Sequence, residues 1–326
     1  MEDALDPEVE KAGGEEELPQ DPIWAKHADS WQYVTAPLRP CLEDMQMYQE
    51  RAFERLAGIG MPRVLLLGCT PELLLMEWPP DTKITCIEQS KAMAQKVYEP
   101  TRIYVDDYVH TRLKIGNWLR LSEYFSPGEF DLVIGDGCYT QLSAAEYSVL
   151  GRQIEAVAAP GCVFLHRFFV VPETWMLSDV LVAPITSNYV LDQLKHPFHC
   201  TSFSALKLRL MVSMQDSFHD GVCLGDVYEA WAKFTSQNPM VAVKPQHFLA
   251  RERDTIEHYR KSKKRYTFPG ASLSQMSRVV YPLTLSGLQQ PAYPMGSYCR
   301  LATLQVQNAT QRRPSVLENI SHENIE

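Results

Sequence analysis

The chain has 326 residues, 45% of them hydrophobic, which suffices for a large core in one domain with an insertion or in two closely packed units. Its formal net charge of -9 argues against the basic surface that nucleic-acid binding requires. No apolar stretch reaches membrane-spanning length, since Glu72 interrupts the longest, and the acidic amino terminus does not read as a secretory signal. The eight cysteines include no C-x-x-C pair, so no metal site is expected; they read as small buried residues of a reducing compartment, and the expected location is cytoplasmic.

Taken in order, residues 1–20 are rich in Glu, Asp and Gly and read as a disordered acidic tail. Aromatic residues follow at Trp24, Trp31 and Tyr33, then Ala36 to Pro40, APLRP. Glu43 to Leu56 has helical spacing, with Met47, Phe53 and Leu56 on one face; this segment either covers one end of a sheet or forms part of a ligand lid. Val64 to Leu67 suit a strand buried on both faces, and Gly68 ends it in a sharp turn. Thr70, Pro71 and Glu72 read as a helix start, Leu73 to Trp78 as its body, and Pro79-Pro80 as its stop. Ile84 to Ile87 form the next strand, with Glu88 at its carboxyl end. Ser90 caps a helix through Met93 to Val97.

Ile103 to Val109 read as either strand or loop, and Leu113 to Ile115 as a short strand leading into Gly116-Asn117-Trp118. Phe130 to Ile134 form a strand ending in Gly135-Asp136-Gly137. Ser143 with Glu146 makes a capping box for a helix to about residue 157, Pro160-Gly161 a turn, and Cys162 to Val170 a further strand. From 173 to about 275 the pattern turns helical. Phe203, Leu206 and Leu210 share a face, and Asp226 with Glu229 reads as a second capping box ahead of Val227, Ala230, Trp231 and Phe234. The basic run Arg260 to Arg265, RKSKKR, reads as a solvated helix end. Strand patterns return at Arg278 to Leu285 and Tyr298 to Val306, and residues after 307 read as a frayed tail.

A strand, a glycine turn, a helix and a second strand ending in an acid about 20 residues on is an arrangement that holds a nucleoside. Gly68-Cys69-Thr70-Pro71 lacks the further glycines that let a pyrophosphate approach; alone it is equally a structural turn. Glu88 can accept hydrogen bonds from both hydroxyls of a ribose, or be an exposed acid at a strand end. Asn117 can accept from an adenine amine with Trp118 over the ring, or both can belong to a surface turn. Asp136 falls where the ligand crevice of such a sheet opens.

In order and spacing these features resemble the class I S-adenosylmethionine-dependent methyltransferases of the small-molecule type. VLLLGCTPEL is similar to an LGxTPEL variant of the first motif, IGNWLRL to a GDW motif, FDLVIGDG to a GDG motif, and PGCVFLHRFF to the fifth strand with its PGG turn. APLRP upstream and Phe268-Pro269-Gly270 downstream fit the same group, so the likeness runs from Ile23 to Val306. Asn117 stands where that group carries Asp, and Cys162 replaces the second Gly of PGG.

The resemblance implies an α/β fold: a Rossmann-like, mostly parallel sheet with helices on both faces, a terminal antiparallel pair and a helical insertion. It implies S-adenosylmethionine as cofactor. Leu67, Gly68, Cys69 and Thr70 would hold its methionine part, Glu88 and Gln89 the ribose, Asn117 and Trp118 the adenine, and Asp136 and Gly137 the methionine end facing the acceptor. Expected divisions are a lid segment at 21–60, the cofactor core at 61–172, an insertion at 173–275 forming the acceptor pocket, terminal strands at 276–306, and a tail at 307–326. The expected partner is a small-molecule acceptor methylated at N, O or S, with neither nucleic acid nor membrane; self-association is left open. His166, His199 and Tyr139 are candidate bases, each equally readable as structural. Arg167 is either an anchor for an acceptor carboxylate or part of a structural salt bridge. Rival readings are an idle cofactor- or partner-binding fold and a nicotinamide-dependent oxidoreductase, the second disfavoured by the missing G-x-G-x-x-G.

Overall fold

The structure, a computed structural model, describes residues 22–105, 107–173, 202–237, 250–293 and 295–307. Its centre is a run of apolar strands, β1 (Arg63–Leu67), β2 (Lys83–Glu88), β4 (Phe130–Asp136) and β5 (Ala158–Phe169), with β3 (His110–Ile115) at the edge. They pair in parallel, and the chain completes the sheet with β8 (Thr284–Gln289) and β9 (Cys299–Gln305). The order is β3-β2-β1-β4-β5-β9-β8, with β9 antiparallel to both neighbours. The seven-stranded sheet is therefore the Rossmann-like architecture that the resemblance implied.

Period-two alternation sends the strands' side chains to two cores. Val64, Leu66, Ile84, Leu132, Ile134 and Leu165 pack with Tyr48, Ala52 and Leu56 of helix α2 (Leu42–Leu56), which follows α1 (Pro22–Ser30). Leu65, Leu67, Val133 and Phe164 face the other way, onto Leu150 and Ile154 of the helix Ala144–Val157. A third core belongs to the segment after β5. Phe203, Leu206 and Leu210 of the helix Phe203–Ser213 pack with Val227, Trp231 and Phe234 of the helix Leu224–Gln237, and Phe169 of β5 joins them. A small second sheet pairs β6 (Val222–Cys223) with β7 (Arg265–Tyr266).

Several local expectations are corrected. The buried face of α2 is Asp44, Tyr48, Ala52 and Leu56, while Phe53 is 40% exposed. The acid at 44 hides this i, i+4 row from a reading by hydrophobicity. The first helix of the sheet is a single turn, Pro71–Leu74; beyond it the Trp78 indole N–H donates to the Leu73 carbonyl, 3.2 Å away. Residues 103–105 and 107–109 are turn, and β3 starts at His110. Pro160-Gly161 lies inside β5, where the pairing with β4 shifts register, so the turn residues mark a bulge. Asp226 falls in the first turn of a helix that begins at Leu224, rather than capping it. The stretch from Arg278 opens on the end of a helix, Leu273–Val279, whose cap Ser272 accepts from the Gln275 N–H; Pro282 separates this helix from β8. The Ser143–Glu146 box is present, with the Ser143 N–H 2.8 Å from the Glu146 carboxylate.

Candidate functional site

The carboxyl ends of β1, β2 and β4, with the turn after β3, open onto one cleft of about 660 Å3. That volume suits a small-molecule site, and its place between β1 and β4 is where the chain reverses direction across the sheet. Leu67, Gly68, Cys69 and Thr70 line the cleft from the first turn, and Glu88 and Gln89 from the second. Asn117 and Trp118 line it from the third, and Asp136 and Gly137 from the fourth. All ten residues marked in the sequence for a cofactor thus meet at one place.

Gly68 sits at φ 90°, a left-handed conformation that side chains rarely adopt. A methyl group there would lie 3.7 Å from the Trp118 ring and 3.8 Å from the Glu88 carboxylate, between two of the cleft's own walls. The Gly68 N–H and the Trp118 indole N–H both donate to the Ile87 carbonyl, each at 2.9 Å, which locks the indole beside the turn. Gly137 is likewise left-handed, and a Cβ on it would meet the Phe169 ring at 2.9 Å.

The Glu88 carboxylate accepts from the Ser90 N–H at 2.7 Å, and the Cys69 thiol approaches its other oxygen. Burial pushes its pKa up to about 7, against the pull of the Ser90 and Gln89 backbone N–H groups. The Asn117 side-chain oxygen accepts from the Leu119 N–H at 2.8 Å and caps the 3₁₀ turn Trp118–Glu123. A carbonyl oxygen accepts twice, so one lone pair is left for a ligand.

Of the two roles read for Arg167, its contacts are those of the structural salt bridge. It is fully buried and does not line the cleft. Its Nε and one terminal nitrogen grip both Asp136 oxygens at 2.6 and 3.0 Å, and the other terminal nitrogen donates to Asp44 at 2.8 Å. This ion triad leaves no face of the guanidinium for an acceptor carboxylate. It also holds Asp136 at the cleft wall: burial pushes the Asp136 carboxyl up, and Arg167 pulls it back.

The proposed bases fare similarly. His166 is buried, and its Nε2 accepts from the Cys138 N–H at 2.9 Å, so its lone pair holds the turn after β4. Burial lowers its pKa and keeps it neutral. Tyr139 is buried between Phe168, stacked at 4.8 Å, and Tyr147 at 4.6 Å, with its pKa pushed up by burial. Neither residue lines the cleft. His199 lies outside the described residues.

The other half of the cleft is lined from the two segments expected to form a lid and an acceptor pocket, through residues most of which the sequence did not single out. Trp24, His27, Trp31 and Leu38 line it from the amino-terminal segment, Lys207 and Met211 from the helix after β5, and Tyr259 from the 3₁₀ turn Thr255–Tyr259. Lys263, Lys264 and Arg265, expected on a solvated helix end, stand among its lining residues. Arg39 of APLRP fixes the segment to the helical turn after β1, its Nε donating to Glu72 at 2.7 Å. The visible hint was a lysine amid the apolar run FSALKLRLM; Lys207 is wholly buried. Its Nζ donates to Thr255 Oγ1 at 2.9 Å and lies 5.2 Å from the Tyr259 ring centre. Burial lowers its pKa to about 7, and Glu252 raises it only in part. Among the described residues no group of three or more His, Cys, Asp or Glu side chains is placed to hold a metal ion. Nor is any described helix long and apolar enough to cross a membrane.

No protein-family model matches the chain, and no curated protein matches it in sequence. Among solved structures, one from Rhodobacter sphaeroides provisionally described as a Zn-dependent alcohol dehydrogenase superposes with a TM-score of 0.48 at 13% identity, covering 86% of this chain and 97% of its own. A provisionally described O-methyltransferase from Nostoc punctiforme gives 0.45 at 12%, covering 87% of this chain, which spans only 60% of that one. The N-methyltransferase NodS from Bradyrhizobium japonicum, solved with S-adenosyl-L-homocysteine, gives 0.44 at 9%, over 87% of this chain and 100% of its own. At such identities and TM-scores these are likenesses of fold, and no activity is carried over from them.

Proposed function

We propose that the protein transfers a methyl group from S-adenosylmethionine to a small-molecule acceptor. The observation that carries this reading is the convergence of the glycine turn, the strand-end acid, the Asn-Trp pair and Asp136-Gly137 on a single cleft. The residues fit a cofactor with a nucleoside and an amino-acid end but no phosphate. Glu88 presents a buried carboxylate to ribose hydroxyls, with Gln89 beside it. Asn117 keeps an acceptor lone pair for the adenine amine, and Trp118 supplies a flat apolar wall. Leu67, Gly68, Cys69 and Thr70 would take the methionine part, and Asp136 and Gly137 close that end. When bound, the cofactor supplies a carbon already activated by its sulfonium.

The chain's task is then to align the acceptor and exclude water. We assign that task to the amino-terminal segment and to the helices between β5 and β8, which bring Trp24, Leu38, Met211 and Tyr259 to the cleft. Seven described cysteines are free, five of them buried, which suits a reducing compartment such as the cytoplasm. Calorimetric titration tests the proposal: S-adenosylhomocysteine should bind and NADH should not. A well-folded protein that ignores the first, or prefers the second, removes it.

A further inference from the structure

His27 lines the cleft and is 5% exposed. Its Nδ1 lies 3.1 Å from His258 Nδ1, and His258 Nε2 lies 3.1 Å from Ser30 Oγ. Ser30 Oγ donates to the Lys26 carbonyl at 3.1 Å. With its one hydrogen on the Lys26 carbonyl, the Ser30 hydroxyl accepts from His258; the opposite rotor would reverse the proton order along the chain. His258 then carries its proton on Nε2 and accepts on Nδ1. The His27 proton is therefore on Nδ1, donated to His258, and His27 Nε2 is the bare nitrogen. No described residue bonds that nitrogen.

Lys207 lies near the same end of the cleft, and its charge acts on both imidazoles. No described acid is at bonding distance from its Nζ. The carboxylate whose charge acts on it, Glu252, takes bonds from the Thr35 hydroxyl and the Ser204 N–H through its Oε1. The cleft thus carries an oriented lone pair and an ammonium without a close counter-ion among the described residues, between the aromatic walls of Trp24, Trp31 and Tyr259. A nucleophile's base held in its tautomer by a third group is the general arrangement for activating a weak acid.

We propose that His27 Nε2 takes the proton of the methyl acceptor while Lys207 Nζ donates to the anion left behind, and that the acceptor is an aromatic hydroxyl. The O–H bond breaks, the N–H bond forms, and the electron pair stays on the oxygen, which is then the nucleophile. His258 and Ser30 act as positioning residues. The titratable groups facing His27 are His258, Lys207 and Tyr259, and burial beside the Lys207 charge and the His258 ring lowers its pKa, so it stands neutral. The Lys207 pKa of about 7 leaves the ammonium substantially populated at neutral pH, and a phenolate beside it raises that share. This assignment rests on the methyl-transfer reading for its purpose, though the proton chemistry can be read without it.

The test uses the full chain labelled with 15N-histidine and 4-nitrophenol as a coloured probe. The nitrogen shifts of His27, identified by its loss in His27→Asn, should report the Nδ1–H tautomer. Bound 4-nitrophenol should ionise about tenfold more readily than in solution, or better, giving the phenolate band. His27→Asn should lose that gain, and Lys207→Gln should lose both the gain and most of the binding. S-adenosylhomocysteine affinity, measured by calorimetry, should stay within about twofold in both variants. An Nε2–H tautomer at His27, or a phenol that binds neutral or not at all, overturns the assignment. If either variant fails to fold, the wild-type absorbance decides, and His27→Gln serves to identify the His27 signals in place of His27→Asn. Loss of S-adenosylhomocysteine binding in the wild type instead sinks the methyl-transfer reading, with the phenolate signal standing apart from it.

Discussion

At the residue scale, Glu88 is the most exacting test of the proposed cofactor site. With a folded pKa of about 7 against an ordinary 4.5, the native protein holds a proton between those values that the unfolded chain has released. Its contribution to stability therefore falls as pH rises from about 4.5 to 7. Ribose hydroxyls donating to the carboxylate favour the ionised form, so binding S-adenosylhomocysteine near pH 6.5 should release a proton and tighten as pH rises. Calorimetry in two buffers of different ionisation enthalpy measures that release. Glu88→Gln should abolish it, weaken the ligand, and flatten the stability profile in the acid window.

The same scale shows where sequence reading of single residues fails. Glu88, Asn117 and Asp136 were legible because strand ends are fixed by local pattern, and a strand end in a parallel sheet points to the crevice. Arg167 also sits at a strand end, yet it is turned into the protein and consumed by two acids, one of them 123 positions away. His27 gave no signal in the sequence, because its contact to His258 spans 231 positions and reaches Ser30 through that ring.

At the element scale, the turn after β1 brings four consecutive residues, Leu67 to Thr70, to the cleft wall. Gly68→Ala places a methyl at φ 90° between Trp118 and Glu88. Backbone strain of this kind costs about 1–3 kcal/mol, and the methyl narrows the gap between the indole and the acid. The variant should unfold at lower urea concentration and bind S-adenosylhomocysteine more weakly. An unchanged affinity would place the ligand elsewhere in the cleft.

Strands buried on both faces were read well because their apolar runs are continuous. Elements with mixed surfaces were not. The buried row of α2 includes Asp44, whose charge is matched by Arg167, and the bulge in β5 carries the Pro-Gly pair that otherwise signals a turn. Residues 278–285 alternate like a strand, but Ser272 caps a helix just before them and tertiary packing keeps Met276 and Val280 buried as helix residues.

For the whole molecule, the Asp44–Arg167–Asp136 triad joins α2, β4 and β5, and Tyr293 from the connection before β9 donates to Asp44 at 3.0 Å. It fastens the covering helix to the sheet directly beside the cleft. Arg167→Met would leave two buried carboxylates without a cation, a change that costs about 3–5 kcal/mol. Urea denaturation should show a loss of that order. Arg167→Lys should recover little, because an ammonium cannot make the two-pronged bond to Asp136.

The sequence by itself determined the sheet and its strand ends, and through them the residues on one side of the cleft. Those depend on runs of apolar residues and on turn chemistry local to each strand end. It also named the amino-terminal segment and the insertion as the other side, but tertiary structure alone decided which of their residues reach the cleft. His27, Lys207 and Tyr259 come from segments far apart in the chain, and their burial and mutual contacts arise from packing that no local pattern records.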